Sequence, residues 1–191
     1  MTKIIKTFLS LVHKLWYNDL YNNNERERRM DITANTTTHG KVDSVDFAIY
    51  LEHKARELGK AVNVTKIQKW LYICYGIYLA VYEEQLLKER PKAWDFGPAF
   101  PSVHRKQKQK ENNDSLINLL SKITPDDFKE YDDVIEATLR TFGDWTAQQL
   151  VNWTHMPGTA WHNKIMMNEK YSALDNFDII SDFKEIVVSK E

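Results

Sequence analysis

Ile67-Gln68-Lys69-Trp70-Leu71-Tyr72-Ile73-Cys74-Tyr75-Gly76-Ile77-Tyr78-Leu79-Ala80-Val81-Tyr82 decides the architecture. On a helical period this run is apolar on nearly every side. A helix of that kind is the centre of a core, not its edge. A charged stretch, Glu83 to Arg90, then leads to Ala93-Trp94-Asp95-Phe96-Gly97-Pro98-Ala99-Phe100-Pro101-Ser102-Val103. Proline lacks the N–H and drives its predecessor into extended geometry, so no helix passes through Gly97-Pro98. A buried helix therefore runs toward a rigid aromatic corner. Neither piece holds a nucleophile with a base, a metal cluster or a phosphate loop. That points to a binding scaffold rather than an enzyme.

Outward from this pair the pattern stays helical. Val45, Phe47, Ala48, Leu51, Ala55 and Leu58 mark a helix capped by Ser44 or Asp43, with Gly59 past its end. Thr65-x-x-Gln68 reads as the capping box of the central helix. Pro101-Ser102 opens a short basic helix, and Asp114 to Ser121 suggests another. Pro125 starts a longer one, striped by Phe128, Tyr131, Val134, Ile135, Leu139 and Phe142 and stopped at Gly143. Thr146-x-x-Gln149 is a second capping box, and Pro157-Gly158 breaks the helix it starts. Trp161 to Met167 and Asp182 to Val188 read as short final helices. No run alternates well enough for a large sheet. The expected fold is mainly α: a compact helical domain around a buried central helix, with at most a small β-hairpin near the Trp-Asp-Phe-Gly-Pro corner.

The domain expectation has three parts. Residues 1–21 form an amphipathic helix with Ile5, Phe8, Leu9, Val12, Leu15 and Trp16 on one face. Residues 22–43 are a polar linker containing Met30, a possible second start. Residues 44–191 form the helical body. The 191-residue chain is 42% apolar and 28% charged, as expected of a soluble globular protein, with a formal net charge of -1. A charge so near zero does not favour global attraction to nucleic acid or anionic membrane. Cys74 is the single cysteine, so no internal disulfide forms. The longest uncharged stretch, Trp70 to Tyr82, falls short of the roughly 20 residues a membrane span needs. The expectation is a cytoplasmic protein without membrane insertion.

Candidate chemistry is sparse. Cys74 sits mid-helix among aromatics, where a thiol stays protonated and inert. His155 and His162 have no acidic or cysteine cluster beside them, and metal sites need three or four convergent ligands. No metal or cofactor is expected. His104-Arg105-Lys106-Gln107-Lys108-Gln109-Lys110 is either a phosphate-contacting patch or a solvated helix face. The N-terminal helix can pack on its own domain, lie on a membrane or dock in a partner's groove. The aromatic corner either plugs the core or presents a fixed shape to a partner, since a rigid segment loses little entropy on binding. Phe8, Val12, Leu15, Trp16, Trp94, Phe96 and Phe100 are accordingly the candidate partner contacts.

At these residues the chain resembles a known family. Gln68-Lys69-Trp70-Leu71-Tyr72 with Gly76-Ile77-Tyr78-Leu79-Ala80 resembles the LQKLLYLAQGWYLA-type segment of the Panacea domain, found in SocA-like antitoxins and phage-associated proteins. The Ala93 to Val103 segment resembles its AW-x-[YF]-GPVVPSVY block. Thr146 to His155 followed by Trp161 resembles its S-x-x-EL-x-x-LTH…W block. Trp70, Tyr75, Ala99 and His104 depart from the usual residues. The resemblance assigns structural motif positions to Lys69, Tyr72, Gly76, Trp94, Gly97, Pro98, Pro101, Thr154, His155 and Trp161. It implies a mainly helical antitoxin without enzymatic activity. Such a protein neutralises a cognate protein toxin, encoded by a neighbouring gene, through direct contact. In the SocA-like branch it implies an adaptor that delivers the toxin to a cytoplasmic protease. Two readings from other classes stand beside it: a nucleic-acid-binding regulator using Arg105 to Lys110, and an enzyme with an unrecognised site.

Overall fold

A computed structural model describes residues 40–109 and 116–188. Its elements are α1 (Ser44–Glu57), α2 (Val64–Tyr82), β1 (Lys92–Trp94), β2 (Gly97–Ala99) and α3 (Pro101–Lys108). Two 3₁₀ segments, Ile117–Lys122 and Pro125–Tyr131, lead to α4 (Asp132–Phe142). Then follow α5 (Ala147–Thr154), α6 (Ala160–Met166) and α7 (Asn176–Val188). The fold is mainly helical, with one antiparallel hairpin that pairs Lys92 with Ala99 and Trp94 with Gly97.

Helix α2 is the hub, buried from Lys66 to Ile77 without a break. It packs against α7, α4, α1, α5, α3 and β2. Each fully buried side chain of the Leu, Ile or Phe class contributes about 1.5–3 kcal/mol, so this helix anchors the core. Gly76 is required where α7 crosses, because a methyl group there would overlap the Phe183 ring. Phe183 in turn stands edge-on to Tyr72, with centroids 5.5 Å apart.

The polar groups buried with α2 find partners on other elements. Tyr75 OH donates to Asn176 Oδ1 at 2.7 Å, Asn176 Nδ2 to Gln85 Oε1 at 3.2 Å, and Gln85 Nε2 to the Leu87 carbonyl at 2.7 Å. At the end of α4, Lys66 Nζ donates to the Gly143 carbonyl at 2.8 Å and Trp70 Nε1 to that of Phe142 at 3.2 Å. A cation at the C-terminal carbonyls of a helix also complements its dipole.

Several local expectations are corrected. The central helix is capped by Asn63, whose side chain accepts from Lys66 N, not by a Thr65–Gln68 box. Val64 and Thr65 are already helical, and Gln68 is turned to the chain at Phe100. The stripe from Phe128 to Phe142 is buried as its spacing predicts, but its first half winds as a 3₁₀ helix and α4 starts only at Asp132. The Asp114 to Ser121 helix is a 3₁₀ segment over Ile117–Lys122, with residues 110–115 outside the described set. Helix α7 begins at Asn176, six residues before the expected start at Asp182, and the Asp175 carboxylate accepts from Phe177 N at 2.8 Å. The Thr146–Gln149 capping box is present in both directions. Val42 at the end of the expected linker pairs with Leu87.

Candidate functional site

The aromatic corner is a hairpin with a two-residue turn, Asp95-Phe96. Its backbone is held on three sides. Lys69 Nζ, on α2, donates to the Pro98 carbonyl at 2.8 Å. Gln68 Oε1 accepts from Phe100 N at 2.8 Å. Trp161 Nε1, on α6, donates to the Trp94 carbonyl at 2.7 Å. Along the other edge, Tyr171 N donates to Ala93 O at 2.8 Å and Ala93 N to Ser172 O at 3.0 Å.

Gly97 fixes how closely the hairpin sits. Its φ is +94°, a region L side chains rarely adopt. An added Cβ would stand 2.6 Å from Thr154 Oγ1 and 2.9 Å from Lys69 Nζ. Next to this contact His155 stacks on Trp161, with centroids 3.6 Å apart and planes 4° from parallel. Six expected motif positions thus meet at one place: Lys69, Trp94, Gly97, Pro98, Thr154 and Trp161. His155 joins them through Trp161, Pro101 opens α3, and Tyr72 and Gly76 belong to the contact with α7.

Burial sets the electrostatics. Lys69 is 2% exposed, and desolvation pushes its pKa down to about 7. His155 lies below the ordinary imidazole value because of burial and the nearby Lys69 charge. His104 is lowered by burial and by Lys108. Asp95, at the hairpin tip, is held below the usual carboxylate range, chiefly by its hydrogen bond from Lys170. Tyr171 OH also donates to Asp95, at 3.1 Å.

Between the hairpin, the start of α2 and α3 lies a groove of about 450 Å³. Trp94, Phe96, Val64 and Ala99 supply apolar wall, and His104 and Lys108 stand at the α3 side. The Trp94 ring meets His104 edge-on at 5.0 Å. Phe96 is 76% exposed at the tip, a large apolar group left in water. Cys74 lies elsewhere, buried in the core, with its thiol pushed up to about 12 by desolvation. Among the described residues no three or more His, Cys, Asp or Glu side chains converge as metal ligands. No helix among them is long and apolar enough to cross a membrane. What the arrangement offers is a shaped apolar recess on an anchored frame.

Of the candidate partner contacts, Trp94 and Phe96 line this groove. Phe100 does not: it is 0% exposed and packs against Tyr75, so it braces the core and cannot meet a partner. Phe8, Val12, Leu15 and Trp16 lie outside the described residues, as does Lys110. Tyr171 escaped the sequence reading. It reaches the groove from 75 residues beyond Phe96 through the pairing of its segment with β1, which leaves no local signal.

The sequence model of the family described as "Antitoxin SocA-like, Panacea domain" matches residues 67–162, from the first turn of α2 to the first turn of α6. Antitoxin SocA of Caulobacter vibrioides is 30% identical over 129 residues, which cover 63% of this chain and 69% of that protein. No solved structure matches the chain.

Proposed function

This chain belongs to the SocA-like, Panacea-domain antitoxin family, and from that membership we propose that it neutralises a cognate protein toxin by direct binding through the hairpin groove. The observation that carries this reading is Phe96. It projects into solvent from a turn whose flanking strands are tied to α2, α6 and the segment at Tyr171. An aromatic on a preorganised frame costs little entropy to engage, and such residues dominate binding energy at interfaces. The chain acts by masking its partner and performs no reaction of its own. The toxin is the product of a neighbouring gene. Segment 1–21, with Phe8, Val12, Leu15 and Trp16, adds a second contact. A chain starting at Met30 is then expected to fold but rescue poorly.

The experiment is co-expression of the chain with the product of the adjacent reading frame. Wild type is expected to restore growth. Phe96→Asp is expected to keep its melting temperature, because exposed positions tolerate substitution within about 0.5 kcal/mol, and to lose rescue. Full rescue by a well-folded Phe96→Asp chain would overturn the assignment of this surface.

A further inference from the structure

We infer that the groove between the hairpin and α3 receives an acidic, aromatic-anchored segment of the protein partner: an apolar side chain lodged against Trp94 and Phe96, with a carboxylate beside it facing Lys108 of α3. The inference rests on the antitoxin reading only for the source of that segment. Three observations lead to it.

The first is size and lining. A groove of about 450 Å³ walled by Trp94, Phe96, Val64 and Ala99 accepts one large apolar side chain with its flanking backbone. The second is charge. Lys108 lines the groove from α3 and forms no ion pair among the described residues. The carboxylate lining the groove, Asp95, is already engaged by Lys170 and Tyr171. Glu89 keeps its charge but lies at the opposite end of α3 from Lys108, where Ser102 N donates to it. The groove therefore presents positive charge that its own walls do not neutralise, and like charge on a partner is penalised there. The third is the backbone of β2. Its Pro98 carbonyl is taken by Lys69, so β2 has no open carbonyl at its centre for an added strand. Recognition falls to side chains. A nucleic acid fits less well, since the net charge of the chain is -1 and Lys108 is the one Lys or Arg of α3 that lines the groove.

The test uses the full chain, ¹⁵N-labelled, and three short capped peptides that differ at one position: Phe-Glu, Phe-Gln and Phe-Lys in a Ser/Gly context. Amide shift changes at residues 94–99 and 104–108 are expected on titration. The Phe-Glu peptide is expected to bind roughly two- to fivefold tighter than Phe-Gln, the scale of an exposed ion pair, with Phe-Lys weakest. Lys108→Glu, at an exposed site, should keep the spectrum and abolish or invert that order. Equal binding of the three peptides, shifts elsewhere on the molecule, or no binding would overturn the inference. So would shifts at α3 with a single-stranded oligonucleotide at about 0.15 M salt that no peptide reproduces. The two readings fail separately. Peptide binding in the groove without rescue in co-expression removes the antitoxin reading alone, and rescue without peptide binding removes this inference alone.

Discussion

Lys69→Met tests the physics of the hairpin mount. In the native protein Lys69 is buried and its pKa stands at about 7, against an ordinary value of 10.5. Between these values the unfolded chain holds a proton that the folded chain has released. The unfolded state then binds more protons, so the stability contributed at this site rises with pH across the window. The slope is about 1.36 kcal/mol per pH unit for one proton. Raising the pH from 7.5 to 9 should therefore stabilise wild type over Lys69→Met by about 2 kcal/mol. Well below pH 7 Lys69 is protonated in both states and its own contribution no longer changes with pH. Tyrosines and Cys74, whose burial raises their pKa values, titrate in both proteins and cancel in the difference. His155 titrates below the window. The variant also leaves the Pro98 carbonyl without its donor, a cost of about 1–3 kcal/mol that does not vary with pH. Urea unfolding of both proteins at pH 6, 7.5, 8.25 and 9 measures the effect. A difference that stays constant from pH 7.5 to 9 would refute the claim that Lys69 is held largely uncharged against the hairpin.

Two further outcomes follow from the same packing. Gly97→Ala should destabilise the fold by about 1–3 kcal/mol from the backbone alone, with overlap at Thr154 Oγ1 added; an unchanged melting temperature would mean the hairpin can lift off α5. Cys74 should resist a thiol reagent at pH 8 in the native protein and react on unfolding, because it is buried and its pKa is near 12; rapid native labelling would contradict the placement of α2 at the centre.

The central helix and the hairpin corner were legible because their signals are local. An all-round apolar run and a Gly-Pro kink need no knowledge of the rest of the chain. Helix type was less legible: the stripe at Phe128 to Phe142 does not reveal that its first turns are 3₁₀, since the burial pattern of neighbouring apolar residues is similar. Cap assignment failed at α2 because Asn63 competes with Thr65, and the use of Gln68 by Phe100, 32 residues away, decides between them. The site divides the same way. Trp94 and Phe96 could be named from the corner, but the opposite fates of Phe96 and Phe100 depend on which face of the hairpin meets α2. Tyr171, Lys170 and the order of charge around the groove arise from long-range pairing alone.

The proposed toxin-masking surface is the hairpin groove. Hydrogen–deuterium exchange of the full chain, alone and in complex with the product of the neighbouring gene, reads that surface directly. Slowed exchange over residues 92–99 and along α3 is expected in the complex. A stable complex whose slowed exchange lies only on α4 or α7, with the hairpin unchanged, would contradict that proposal.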